Sequence, residues 1–268
     1  MKIALAQVVT GANLAENLRI VEDRVIEAAE RGADLVVFPE ATMRAFGNSL
    51  LDIAEPLDGP WVTSVRQFAR VYGITIIVGV FTQGDNDRVV NTLVVAQPDG
   101  LSSYNKMHLF DAFGYAESES VLAGESPTVT TISDVNVGLA VCYDLRFPAL
   151  FAQNAAAGAV VNVVSASWGA GECKIEQWML LARARALDTT TFVVACGQAD
   201  PKAAGVPAVP NAPTGVGHSL VVAPDGTVLA EAGAGEELLV VDLDLTLIES
   251  TRRQLPVLAN QRFRSVRA

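Results

Sequence analysis

Three residues able to take part in acyl transfer stand within or just after apolar segments. Cys142 closes the run Val137-Gly138-Leu139-Ala140-Val141 and precedes Tyr143-Asp144-Leu145-Arg146-Phe147-Pro148. The apolar, β-branched run reads as a buried strand and the residues that follow as a helix. A thiol at a strand-to-helix turn is presented outside the sheet. The next backbone N–H groups then face whatever the sulfur attacks, as a thiolate nucleophile and its oxyanion hole both require. An isolated cysteine is more often a buried core residue, so Cys142 gains meaning only from its company.

A thiol near neutral pH needs a base or a lowered pKa. Only His108 and His218 exist, and neither setting marks a base. No G-x-S-x-G elbow, Walker A or G-x-G-x-x-G sequence is present, and no close His/Cys set suggests a metal. A carboxylate base and a cationic stabiliser remain. Glu40 follows Leu35-Val36-Val37-Phe38-Pro39, at the sheet edge where catalytic groups of α/β folds gather. Partial burial would raise its pKa toward the range useful for moving a proton; an exposed loop glutamate is the plainer reading. Lys106 lies in Tyr104-Asn105-Lys106-Met107-His108-Leu109-Phe110. It is placed to hold a developing oxyanion, or, more plainly, to snorkel to water.

The elements that must position these residues alternate between strand and helix. Ile3–Val9 reads as a strand. Asn13 offers an N-cap, with Glu16 three residues on and Leu14, Leu18, Val21 and Val25 at helical spacing. Leu35–Phe38, Ile74–Phe81, Asn91–Ala96, Val160–Val164, Phe192–Ala195, Ser219–Ala223 and Leu238–Leu243 read as strands. Trp61–Val71, Phe147–Ala157 and Ile175–Leu187 read as helices, and Thr251 onward as an arginine-rich polar tail. Gly32–Val37 is echoed by Gly158–Val163. Thr92–Ala96 is echoed, at nearly the same separation, by Ser219–Ala223, and Pro-Asp-Gly closes both. These echoes suggest two similar α-β-β halves, in one layered α/β domain spanning residues 1–268.

Half of the 268 residues are hydrophobic and 18% are charged, so a large core is available. A net charge of −11 argues against nucleic acid or an anionic membrane as partner. Three cysteines without paired spacing suggest reduced thiols and a cytoplasmic setting. The N-terminus turns polar too early for a secretory signal, and no apolar run approaches the roughly 18 residues of a membrane helix.

Taken together, Phe38-Pro39-Glu40-Ala41, Asn105-Lys106-Met107-His108-Leu109-Phe110-Asp111 and Val141-Cys142-Tyr143-Asp144-Leu145-Arg146-Phe147-Pro148 resemble the Glu-Lys-Cys motifs of the nitrilase superfamily of carbon–nitrogen hydrolases. The resemblance covers nearly the whole chain. Ala182–Asp188 is similar to the family's helix after the nucleophile, and Gly217-His218-Ser219 to its later glycine-rich turn. The fold implied is an α-β-β-α sandwich, commonly dimerised through helices. The chemistry implied is amide hydrolysis through a Cys142 thioester. Glu40 serves as acid and base, Lys106 and the Tyr143 backbone N–H hold the oxyanion, and no metal or organic cofactor is needed. Glu117 is similar to a second glutamate of many members, with Glu119 as its neighbouring rival; such a carboxylate would keep Lys106 charged. Cys173 and Cys196 are expected to be structural. Asp144 and Arg146 are expected to brace the nucleophile turn, with Arg146 as a substrate ligand the lesser alternative.

Within the superfamily the chain most resembles Nit-type amidases, especially bacterial deaminated glutathione amidases. The segments Lys106–Phe113 and Gln254–Phe263 carry that resemblance. The chain departs from relatives at Ala170, Glu176 and Gln177, where some carry an arginine or histidines, and at Ala149, where a glutamate is common. The substrate implied is a small amide with a carboxylate, with Lys174 as the cation to receive it. The ω-amidases, acting on α-ketoglutaramate, and N-carbamoyl hydrolysis are alternatives, and a catalytically silent scaffold of the same fold is the non-enzymatic one.

Overall fold

The computed structural model describes residues 1–207, 209 and 212–262. The chain runs β1 (Lys2–Gln7), α1 (Leu14–Glu30), β2 (Leu35–Val37), α2 (Pro60–Tyr72), β3 (Thr75–Gln83), β4 (Val89–Ala96), β5 (Leu101–Asn105), β6 (Asp111–Ala112), β7 (Tyr115–Ala116), β8 (Val121–Leu122), β9 (Val129–Ile132) and β10 (Val135–Val141). It continues α3 (Pro148–Ala156), β11 (Val161–Ala166), α4 (Lys174–Thr189), β12 (Phe192–Gly197), β13 (Leu220–Val222), β14 (Val228–Glu231), β15 (Glu237–Asp242), α5 (Thr246–Gln254) and α6 (Val257–Asn260).

Side-chain alternation along the strands builds the layers. In the first sheet, Ile3, Leu5, Leu35, Val37 and Ile77 join the core shared with the second sheet. Their neighbours Ala4, Ala6, Val36, Ile76 and Val78 pack with Val21 and Val25 of α1 and Val62, Val65 and Ala69 of α2. Helices α3 and α4 send Phe151, Trp178, Ala182 and Ala186 into the core of the second sheet. The result is the α-β-β-α sandwich.

The sheets repeat one plan. The first runs β15-β1-β2-β3-β4-β5 and the second β9-β10-β11-β12-β13-β14. In each, the first pairing is antiparallel, the next two parallel and the last two antiparallel. The echoed segments occupy matching places, β2 with β11 and β4 with β13. Of the expected polar tail from Thr251 onward, the first residues close α5, which begins at Thr246, and Val257–Asn260 forms α6. In α5, Ile248 is buried and Arg252 Nε donates to Thr190 Oγ1 at 3.2 Å. Phe263, at the end of the tail segment quoted above, lies outside the described residues.

Candidate active site

Glu40 reaches the site because β2 is cut short. Pro39 lacks a backbone donor and cannot extend the ladder. Ala41 then takes a left-handed conformation, with φ of 58°. The turn lies so close to β3 that a Cβ on Gly79 would come within 2.8 Å of the Glu40 Cα, so a glycine there permits the approach. Lys106 follows the last residue of β5, and its N–H donates to the Asn91 carbonyl at 2.9 Å.

Glu40, Lys106 and Glu117 meet out of water, at 1%, 2% and 2% exposure. Lys106 Nζ donates to Glu40 Oε1 at 2.9 Å and to the two Glu117 oxygens at 3.0 and 2.8 Å. Glu117 also accepts from the Phe110 N–H at 2.7 Å. Glu119, by contrast, is exposed. Burial alone would discharge Lys106, but Glu40 and then Glu117 outweigh it and hold the ammonium well above the ordinary lysine value. Glu40 is fixed on its other sides by Asn91 Nδ2, at 2.8 Å from Oε1, and by the Ser167 N–H, at 2.9 Å from Oε2.

Cys142 begins a short 3₁₀ turn, Cys142–Arg146, with φ of 48°. Asp144 fixes that turn. Its Oδ2 accepts from the Tyr104 hydroxyl and the Val141 N–H, both at 2.8 Å. Its Oδ1 accepts from the His108 N–H at 3.0 Å and lies 2.6 Å from His108 Nδ1, while the His108 ring stacks on Phe147 at 3.8 Å. Burial pushes the Cys142 thiol well above its ordinary value, and Glu40 pushes it further, while Lys106 opposes both. A sulfur in this setting holds its proton more tightly, so it could attack only by passing that proton to a base.

Glu40, Lys106, Glu117 and Cys142 line a pocket of about 530 Å³, whose walls include Phe46, Tyr115, Trp168 and Pro213. Arg146 and Lys174 line it as well. Arg146 donates to Gln177 Oε1 at 2.7 Å and lies over the Trp168 ring at 5.1 Å. The hydrogen bond ties the end of the Cys142–Arg146 turn to α4. Lys174 is the first residue of α4, and its ammonium lies 4.7 Å from the Phe113 ring centroid. Burial and the neighbouring Arg146 lower its pKa. Among the described residues, neither cation is ion-paired with a carboxylate. Cys196 is buried in the core and Cys173, just before α4, is exposed.

The sequence reading overlooked Asn91 and Ser167. Asn91 was legible in principle. It shares a strand face with Leu93 and Val95, both in the inter-sheet core, and a polar residue on such a face demands a reason. Ser167 acts on Glu40 through its backbone N–H, which carries no side-chain signature.

The family model for carbon-nitrogen hydrolase matches residues 2–253, and the chain belongs to that family. It is 51% identical to a protein named as a hydrolase from Mycobacterium tuberculosis, over 97% of this chain and 95% of that protein. It is 32% identical to the deaminated glutathione amidase of Escherichia coli O157:H7, over 98% of each. Nit3 of Saccharomyces cerevisiae, a nitrilase-superfamily member of solved structure, superposes with a TM-score of 0.86 at 28% identity, covering 98% of this chain and 97% of its own. The chain is thus an amidase, a hydrolase of carbon–nitrogen bonds. Among its described residues, no helix is long and apolar enough to cross a membrane.

Proposed function

We propose that this enzyme hydrolyses a small amide bearing a carboxylate through a Cys142 thioester, and that deaminated glutathione is the substrate. The observation that carries the carboxylate is the pair Arg146 and Lys174, unpaired cations lining the pocket of a chain with net charge −11. Without a local cation, the overall field would repel an anionic substrate.

The contacts support a stepwise acyl transfer. Glu40 accepts the thiol proton as Sγ attacks the amide carbonyl. Lys106 and the Tyr143 N–H hold the negative oxygen. Glu40 returns the proton to the departing nitrogen, the amine leaves and the thioester remains. Water, deprotonated by Glu40, then releases the acid and regenerates the thiol. Glu117 keeps Lys106 charged and aimed, and Asn91 and Ser167 keep Glu40 in place. This route runs without a metal or organic cofactor.

The amide of α-ketoglutaramate is the alternative substrate, handled by the same chemistry. The family match over residues 2–253 supports one domain for the whole chain. Outward-facing Leu180 and Leu187 on α4 support a homodimer packed through helices, and three free thiols support a reducing, cytoplasmic setting. A screen of small ω-amides, carbamoyl acids and matched neutral amides, read as released ammonia or amine, tests the reading. Preference for the acidic amides is expected; preference for neutral ones overturns it.

A further inference from the structure

The pocket does not end at its rim. An open groove of about 880 Å³ adjoins it, and Phe46, Tyr115 and Pro213 line both. Leu50, Leu51, Val89 and Ala212 give the groove mainly apolar walls, interrupted by Asn48, Ser49 and Ser120, with the exposed Asp87 at its edge. Arg146 and Lys174 do not border it.

The proposed chemistry puts the leaving nitrogen on this flank. That nitrogen receives its proton from Glu40, so it must lie at the Glu40 end of the pocket. Ser167 forms that end. Its N–H donates to Glu40 Oε2 at 2.9 Å, and its hydroxyl donates to the Pro213 carbonyl at 2.5 Å. Pro213 is one of the three residues shared with the groove. A primary amide, whose nitrogen carries only hydrogen, has no use for this space.

We infer that the groove is a subsite for the amine leaving group, and that the natural substrate is a secondary amide whose nitrogen carries a substituent able to fill it. This rests on the proposed function and narrows it. The acyl half, with its carboxylate, sits by Arg146 and Lys174, and the amine half extends past Phe46 and Pro213. The Sγ–C bond forms, the C–N bond breaks, and the thiol proton passes through Glu40 to the nitrogen. A neutral amine departs through the groove before water enters. This favours an amide with a substituted nitrogen over a primary ω-amide.

The test compares succinamic acid with its N-(2-hydroxyethyl) derivative. The wild-type enzyme is expected to cleave the substituted amide with kcat/KM at least equal to that for the primary one. Ser49→Trp or Leu51→Trp, each filling the groove away from the catalytic groups, should lower kcat/KM for the substituted amide about tenfold. Each should leave succinamic acid within about twofold. Cleavage of succinamic acid without cleavage of the substituted amide overturns the subsite and leaves the proposed function standing. Equal losses on both substrates in both variants also overturn it. Inactivity of the wild-type enzyme on both amides overturns the proposed function, and the subsite with it.

Discussion

The two sheets share one ladder pattern but end their strands differently, and the proposed chemistry lies in the differences. β2 stops at Val37, Pro39 bars its extension, and Glu40 turns into the site. Its counterpart β11 runs on to Ala166 and then gives Glu40 the Ser167 N–H. Val137 faces Val161 across the ladder as Ile3 faces Leu35. By that register the counterpart of Cys142 is Val8, a buried core residue. Gln7, one residue earlier, spends its amide on loop closure, donating to Gly233 and accepting from the Ser219 N–H at 2.8 Å. Duplicated architecture thus supplies a rigid frame, and a few differences at strand ends separate the proposed nucleophile from a structural residue.

The largest effects should come from the two strand ends that carry the proposed bond-making groups. Cys142→Ser should lower kcat by roughly 10⁴-fold or more, because Glu40 is a weak base for an alcohol. Glu40→Gln should cost about 10²–10⁴-fold. It should also move the Cys142 thiol the other way. The Glu40 charge raises that thiol, so its removal should shift alkylation of Cys142 by iodoacetamide to lower pH while turnover is lost. An unchanged alkylation profile would separate Glu40 from the sulfur.

Next comes the buried cation. Lys106→Met leaves Glu40 and Glu117 facing each other without compensation. Loss of one partner from a buried ion pair costs about 3–5 kcal/mol, so a clear fall in the thermal midpoint should accompany loss of activity. An unchanged midpoint would mean that the carboxylates take up protons at little cost.

Smaller effects should mark the residues that only orient. Glu117→Gln should reduce kcat without abolishing acylation, and Glu119→Gln should leave it unchanged; the reverse result would move the role to Glu119. Asn91→Ala should lower kcat with KM little changed, since the side chain holds Glu40 and lines no part of the pocket. The smallest effect belongs to Lys174→Ala. It should raise KM for acidic amides and leave neutral amides alone. Equal effects on succinamic acid and a neutral amide of similar size would remove Lys174 from substrate binding.

The sequence made the long elements legible because buried strands and amphipathic helices impose periods of 2 and 3.6. It could not reveal β6, β7 and β8, two-residue strands too short to have a period. It also hid α5, where Ile248 alone is fully buried and polar residues fill most of the helix. At the site, Glu40 and Lys106 stood out as charges in apolar company, a costly arrangement that invites a functional explanation. The Asp144 contacts to Tyr104 and His108 were hidden because they join segments far apart in the chain. The approach of Arg146 to Trp168 was hidden for the same reason.

The central claim is that Cys142 carries the acyl group. Mass spectrometry of enzyme acid-quenched during turnover of a slow carboxylate-bearing amide tests it most directly. The expected result is a peptide containing Cys142 heavier by the acyl group, absent in Cys142→Ser and accumulating when water attack is slowed. An acyl adduct on Cys173 or Cys196, or turnover with no adduct on any cysteine under conditions that trap thioesters, would contradict the account.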